Sequence, residues 1–84
     1  MKIFYSQKFN KVLISLPTGI KRIYKKQEDL FIINWKDPRL HAKKIIGTVL
    51  LSFRITRKYR VLFKFADENS ASFLSIGHRK DIYD

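Results

Sequence analysis

The period of the hydrophobic pattern changes near Gly47, and this change constrains the fold more than any other feature of the sequence. Upstream, in residues 7–35, apolar side chains recur at steps of three and four residues, which is typical of amphipathic helices. Downstream, in residues 52–76, apolar and polar residues alternate, as they do in half-buried strands. With only 84 residues, the chain is expected to form a single domain, residues 1–84, of the α+β class.

The first half of the chain predicts a helical hairpin. Residues 7–16 carry apolar side chains at helical spacing, and Pro17 ends this first helix because proline has no N–H to donate. Thr18 is expected to cap a second helix. The apolar stripe of that helix contains Ile20, Ile23, Tyr24, Gln27, Leu30, Phe31 and Trp35. Each helix therefore has one apolar face to bury against a sheet.

The strands predict a small twisted antiparallel sheet. Residues 2–5 form a short apolar run suited to a strand at the sheet edge. Alternating runs around Phe53, around Phe63 and over residues 71–76 are joined by short polar turns, which indicates an antiparallel meander. Residues 36–47 have no sustained period and are expected to form a connection with a turn of helix.

The alternation also assigns side chains to the two faces of the sheet. If the apolar set faces the helices, three cations share the opposite face: Arg54, Arg60 and Lys64. The inward set is expected to comprise Phe53, Ile55, Val61, Phe63, Phe65, Leu74 and Ile76. The last strand then delivers the segment 77–80, Gly-His-Arg-Lys, to the rim of the cationic face.

Charge is concentrated in the middle of the chain. The formal net charge is +11, divided as +5 in residues 1–35, +8 in residues 36–64 and −2 in residues 65–84. Such an excess attracts polyanions and favours nucleic acid, an acidic protein or an anionic membrane surface as partner. No apolar run approaches the roughly 20 residues of a membrane span, and the N-terminal residues lack the apolar core of a signal peptide.

The cysteine and histidine content limits the chemistry. The chain has no cysteine and two separated histidines, so neither a disulfide framework nor a closed zinc shell is expected. No metal and no cofactor are predicted. The lack of cysteine and of an export signal favours a cytoplasmic location.

Four segments together resemble the RelE/ParE superfamily of type II toxin–antitoxin toxins. They are DPRLHAKK (37–44), SFRITRKYRVLFKF (52–65), the polar turn that follows it, and FLSIGHRKDIY (73–83). The resemblance implies a helical hairpin on a twisted antiparallel sheet, with RNA bound on the open sheet face. Many RelE-like members cut messenger RNA on the ribosome without a metal, and an acidic antitoxin holds them silent. ParE-like members share the fold and act on DNA gyrase.

The resemblance also implies a set of site residues. Arg60 corresponds to the central-strand arginine of such toxins, Arg79 to the arginine after the last strand, and Tyr83 to the tail tyrosine. With His78, whose ordinary pKa lies near neutrality, these form the predicted catalytic set. The predicted RNA-binding residues are Arg54, Arg57, Lys64, Lys43 and Lys44. The predicted partners are an acidic antitoxin, messenger RNA and the ribosome, with no membrane.

Other interpretations stay open at this point. Arg54, Arg60 and Lys64 are also compatible with an ordinary solvated sheet face, and His78 with an exposed, inert histidine. A gyrase-directed toxin or an inert relative would keep the fold and lose nothing on mutation of His78 or Tyr83. A plain RNA-binding module is disfavoured, because the sequence has no aromatic stacking motif of the RRM kind.

Overall fold

The computed structural model describes residues 1–82, in which two helices pack on a five-stranded sheet. In chain order, the elements are β1 (Lys2–Tyr5), α1 (Gln7–Ser15), α2 (Thr18–Ile33), a 3-10 turn (Pro38–Leu40), β2 (Lys43–Lys44), β3 (Leu51–Arg54), β4 (Tyr59–Asp67) and β5 (Ser70–His78). The predicted α+β architecture is confirmed. Neither helix of this part of the chain is long and apolar enough to cross a membrane.

The sheet is mixed, whereas the alternation predicted an antiparallel one. Its strand order is β1-β5-β4-β3-β2. The meander of β3, β4 and β5 is antiparallel as predicted, but β1 runs parallel to β5. The pattern could not show this, because the side-chain period is two residues in either orientation. The connection 36–47 contains the predicted helical turn and also the short strand β2, which pairs with β3.

A bulge in β5 changes which of its residues face the helices. Phe63 pairs with Phe73 and Leu62 pairs with Ser75, so Leu74 is the extra residue between them. Phe73 is fully buried and Leu74 is only partly buried. The prediction that Leu74 points inward was therefore wrong. It assumed an uninterrupted alternation, which a bulge breaks.

Ser6 ties the start of α1 to this bulge. Its hydroxyl donates to the Leu74 carbonyl at 2.8 Å and accepts from the Phe9 N–H at 3.0 Å. The second bond is a side-chain N-cap, which satisfies one of the free N–H groups at a helix start. By contrast, Thr18 is the first residue of α2, and Pro17 precedes it without a side-chain cap. The predicted cap at Thr18 was wrong.

Aromatic side chains form the centre of the core. The ring of Phe31 on α2 lies 5.3 Å from Phe53, 5.0 Å from Phe63 and 5.1 Å from Phe73, measured between centroids. All four side chains are fully buried. One helical residue thus contacts all three strands of the meander. Helix α2 ends at Ile33, before the predicted Trp35, whose ring packs on Phe65 at 5.0 Å.

A buried carboxylate joins α2 to the edge strand β1. Glu28 accepts hydrogen bonds from the hydroxyls of Tyr24 and Tyr5, the latter at 2.8 Å, and pairs with Lys25 at 3.3 Å. Burial, followed by the bond to Glu28, raises the pKa of Tyr5 to about 12. The same causes raise the pKa of Tyr24. Both hydroxyls therefore stay protonated as donors well above neutral pH.

We expect Tyr24→Phe to lower the free energy of unfolding by about 1.5–3 kcal/mol, because it removes a hydrogen bond to a buried charged group. Tyr5→Phe is the matched control, since Tyr5 is 42% exposed and water can replace its hydroxyl. Urea unfolding followed by circular dichroism measures both. Equal losses in the two variants would contradict the importance assigned to the buried bond.

The pKa of Tyr5 also predicts how stability depends on alkaline pH. Folding raises the pKa of Tyr5, so this residue's contribution to the free energy of unfolding is fully present below pH 10.0, the pKa in the unfolded chain. The contribution is lost as the pH rises through about 12. The urea midpoint of the wild type should fall between these pH values. The urea midpoint of Tyr5→Phe should fall less steeply over the same pH range. Parallel curves for the variant and the wild type would contradict the raised pKa assigned to Tyr5.

Candidate anion-binding face

Cations of β2, β3 and β4 lie together on the sheet face opposite the helices. Residues that pair directly across strands lie on the same face, and Arg54, Arg60 and Gly77 form one such row across β3, β4 and β5. Lys64 lies on the same side of β4 as Arg60, and Lys43 pairs with Ser52, two residues before Arg54. We call the surface of Lys43, Arg54, Arg60 and Lys64 the cationic face. The predicted shared face of Arg54, Arg60 and Lys64 is confirmed.

Two arginines stand side by side on this face, without a counter-ion in the described part of the chain. Arg54 and Arg60 are direct cross-strand partners, a relation that places Cβ atoms about 5 Å apart. Arg60 is only 9% exposed. Within residues 1–82, neither residue has an ion pair, and the Nε of Arg54 is buried without a hydrogen-bond partner. Two like charges held this way favour an oxyanion between them.

Gln27 fixes the backbone at the end of β3. Its side-chain amide donates to the carbonyl of Arg54 at 2.8 Å and to that of Arg39 at 3.1 Å. A residue of α2 therefore holds the backbone beneath an arginine of the cationic face. The sequence did not suggest this function for Gln27. The available signal was a polar residue within the apolar stripe of the helix.

The C-terminal turn folds back over the rim of the cationic face. The N–H groups of Asp81 and Ile82 both bond to the His78 carbonyl, at 2.8 and 3.2 Å. The side chain of Ile82 is buried and lies over Gly77, where an added Cβ would meet it at 3.5 Å. Gly77 is the partner of Arg60, so Ile82 contacts the sheet next to the arginine row. This contact was not predicted.

His78 lies at the same rim but on the other side of the sheet. It pairs with Tyr59, and their rings make an edge contact at 5.9 Å. Tyr59 packs against the core, so the pair lies on the helix side. The Lys80 N–H donates to His78 Nδ1 at 3.2 Å. A neutral imidazole that accepts at Nδ1 carries its proton on Nε2, so Nε2 is the ring nitrogen that would contact a substrate.

The remaining predicted residues are distributed around this rim and edge. Arg79 is exposed, and its N–H donates to the Lys58 carbonyl at 2.7 Å, one step beyond the end of β5. Arg57 is exposed in the bend between β3 and β4. Lys44 pairs with Leu51 and so lies on the helix side, away from the cationic face. Tyr83 lies outside the described residues 1–82.

This arrangement can bind and stabilise a phosphate. The guanidinium groups of Arg54 and Arg60 offer planar sets of N–H donors that match phosphate oxygens, and Arg60 is largely buried. Arg79 adds an exposed third cation at the rim. Within residues 1–82, no group of three or more His, Cys, Asp or Glu side chains is placed to hold a metal ion.

Comparisons of the fold with solved structures identify similar proteins. A chain of the RelB–RelE antitoxin–toxin complex from Methanococcus jannaschii is 25% identical, with a TM-score of 0.76 over 96% of this chain and 95% of that one. A chain of the E. coli DinJ–YafQ toxin–antitoxin complex has a TM-score of 0.80 at 15% identity, covering 99% and 97%. The YoeB/ParE toxin from Agrobacterium tumefaciens has a TM-score of 0.79 at 9% identity, covering 94% and 99%.

No protein-family model matches the sequence, and no curated protein is similar to it. The fold nevertheless places the chain in one structural class, because all three similarities extend over nearly the full length of both chains. This chain has the RelE-like toxin fold. The resemblance predicted from its four sequence segments is thereby confirmed.

Arg60 is expected to lower the free energy of unfolding and to strengthen the binding of RNA. We expect Arg60→Met to raise the free energy of unfolding, by on the order of 1 kcal/mol, because it removes a buried charge that stands beside another arginine and has no ion pair within residues 1–82. The same variant should bind single-stranded RNA more weakly. For stability, the matched control is Lys64→Met, since Lys64 is exposed on the same face; for RNA binding, the matched control is Lys26→Met, on the exposed side of α2. Urea unfolding and RNA titration measure the two effects, and a loss of stability in Arg60→Met would contradict this account.

Proposed function

We propose that this chain is the toxin of a type II toxin–antitoxin system and that it cleaves messenger RNA. The observation that carries the proposal is the adjacent pair Arg54 and Arg60, held on one sheet face without a counter-ion among residues 1–82. Holding like charges together lowers stability, and binding of a phosphate group offsets that effect. The focused net charge of +11 attracts the RNA backbone as a whole.

The proposed reaction is an internal transesterification of RNA. A base takes the 2′-hydroxyl proton and the 2′-oxygen forms a bond to phosphorus. The bond from phosphorus to the 5′-oxygen breaks, and an acid donates a proton to this leaving oxygen. Negative charge builds on the phosphoryl oxygens in between. Arg54, Arg60 and Arg79 are the proposed donors to these oxygens, and loss of one such donor costs on the order of 100- to 1000-fold in rate.

The proton transfers are assigned to the rim of the sheet. His78 is a proposed acid or base, and its Nε2 is the free ring nitrogen because Nδ1 accepts from the Lys80 N–H. Tyr83 remains the second proposed group. The carbonyl of His78 begins the turn that returns over Gly77. His78 directly follows Gly77, the cross-strand partner of Arg60, although the two residues face opposite sides of the sheet.

An acidic antitoxin is the proposed partner. The solved relatives from Methanococcus jannaschii and E. coli are complexes of a toxin with an antitoxin. In this chain, the cationic face and the net charge of +11 would attract an acidic protein. Binding of such a protein over Arg54 and Arg60 would exclude RNA from the same surface.

The test is induced expression in bacteria, followed by primer extension on messenger RNA. The wild type should arrest growth and produce discrete new 5′ ends. An Arg60→Ala, Arg79→Ala double variant should produce neither, because it lacks two of the proposed phosphate donors. The matched control is Arg22→Ala with Lys26→Ala, which removes the same charge from the exposed side of α2 and should keep both effects.

Each contrary result has a distinct meaning. Arrest without new RNA ends would show that the target is not RNA and would favour a gyrase-directed toxin. No arrest by the wild type would contradict the toxin assignment. Equal loss of cleavage in the control variant would show that overall charge, and not the arginine row, carries the activity.

A further inference from the structure

An exposed aromatic ring lies on the same side of the sheet as the cationic face. Phe4 of the edge strand β1 is 47% exposed. It pairs with Ser72 on β5, and Ser72 pairs with Lys64 on β4. Residues that pair across strands share a face, so Phe4 continues the outward row that contains Lys64. Lys2 lies on this side as well, because it is two residues before Phe4.

This ring is within reach of the arginine row along the surface of the sheet. Arg60 lies four residues from Lys64 along β4, about 13 Å, and Phe4 lies two strands from Lys64, about 10 Å. Between Arg60 and Lys64, the same face carries Leu62, which is partly exposed. An extended RNA strand with one phosphate at the arginine row can therefore bring a nucleotide further along to Phe4.

The core does not account for the position of Phe4. Its neighbours on β1 face the helices: Ile3 packs against the core, and the ring of Tyr5 lies 5.5 Å from that of Phe9. Within residues 1–82, no other aromatic ring packs on Phe4. A single exposed apolar residue is ordinary on a surface. An aromatic residue among cations on an open sheet face is, however, the arrangement that binds single-stranded RNA.

The charges next to the ring favour an uncharged ligand group there. The Lys2 ammonium lies 5.1 Å from the centroid of the Phe4 ring. The Asn69 N–H and the Ser70 hydroxyl lower the pKa of Asp67, and the Lys2 ammonium adds to this effect. Lys2 is therefore close to a carboxylate, whereas the arginine row has no ion pair within residues 1–82. Phosphate is favoured at the arginine row and a base at the ring.

We propose that Phe4 is a stacking site for a base of single-stranded RNA, on the strand whose phosphate lies at Arg54 and Arg60. That RNA is the ligand rests on the proposed function. An exposed contact between an ammonium and a ring is weaker than stacking of a base on a ring, so Lys2 can give up the ring face to a base. The site selects unpaired RNA, because the bases of a duplex are already stacked on one another.

Stacking on Phe4 is expected to add affinity with little sequence preference. Every base has a flat π-face, so any of the four can occupy the ring. The contribution should be separable from that of the cations, because the cations bind the phosphates whether or not bases are present. A probe without bases therefore distinguishes the two.

Fluorescence anisotropy with two probes tests the proposal. The first is a short labelled 2′-O-methyl RNA, which cannot be cleaved because its 2′-oxygen carries no proton and is blocked. The second has the same backbone and charge and no bases. Phe4→Ala should weaken binding of the first probe by about tenfold and leave binding of the second unchanged. The matched control is Ile33→Ala, at an 83% exposed position at the end of α2, which should change neither.

A tryptophan at the same position reports stacking directly. Phe4→Trp keeps an aromatic ring, so it should bind the first probe at least as tightly as the wild type does. Its emission should be quenched by that probe more than the emission of the wild type, in which Trp35 is the single tryptophan. The probe without bases should cause no such additional quenching. This variant also tests the site if Phe4→Ala does not fold, which circular dichroism would show.

Three results would overturn the proposal. Equal effects of Phe4→Ala on the two probes would show that the ring does not contact a base. Binding of the first probe to Phe4→Trp without additional quenching would show the same. Binding to anionic phospholipid vesicles that is lost in Phe4→Ala, with RNA binding unchanged, would assign the ring to a membrane surface.

The stacking site and the proposed function can fail separately. If the wild type produces no new RNA ends in bacteria and yet binds the first probe through Phe4, cleavage is wrong and the stacking site stands. If the wild type cleaves RNA and Phe4→Ala binds both probes as the wild type does, the stacking site is wrong and the proposed function stands.

Discussion

The contact of Phe31 with three phenylalanines is the interaction on which the rest of the structure depends. Phe53, Phe63 and Phe73 come from three different strands, and each packs on the same ring of α2. Burial of a phenylalanine side chain contributes about 1.5–3 kcal/mol, and favourable ring contacts add to it. In a chain of 84 residues, a few such side chains account for a large share of the available stability.

The concentration of apolar contacts on one face leaves the other face available for charge. The helices cover the inner face, so the core does not require side chains on the outer one. Arg54 and Arg60 can then stand together there without a counter-ion in the described part of the chain. Their mutual repulsion opposes folding, and the aromatic core offsets it. Stability and the proposed RNA binding are thus divided between the two faces of a single sheet.

Much of the fold follows from the sequence, because side-chain periodicity encodes local structure and burial. The helical hairpin, the meander and the shared face of Arg54, Arg60 and Lys64 were all predicted from it. Strand direction is not encoded in this way, so the parallel pairing of β1 was missed. The two-residue strand β2 was missed because it is too short to show a period. The sequence segments and the solved structures agree on the RelE-like fold.

The site was less predictable than the fold, because it depends on register. The row of Arg54, Arg60 and Gly77 follows from strand pairing. Alternation predicts which face a residue lies on, but not which residues are paired. One extra residue at Leu74 was enough to change which residues of β5 face the helices. His78 was expected to converge with the arginines, yet its pairing with Tyr59 assigns it to the helix side. The catalytic and RNA-binding roles of these residues remain predictions.

The bulge at Leu74 divides β5 into two segments that pair with β4 in different registers. Residues 70–73 are aligned by β1 and by the core, and residues 75–78 by the half of β4 that carries Arg60. Ser6 clamps the junction between them. A change of register in residues 75–78 would therefore place a different side chain opposite Arg60, while the pairing of residues 70–73 with β1 stays as it is.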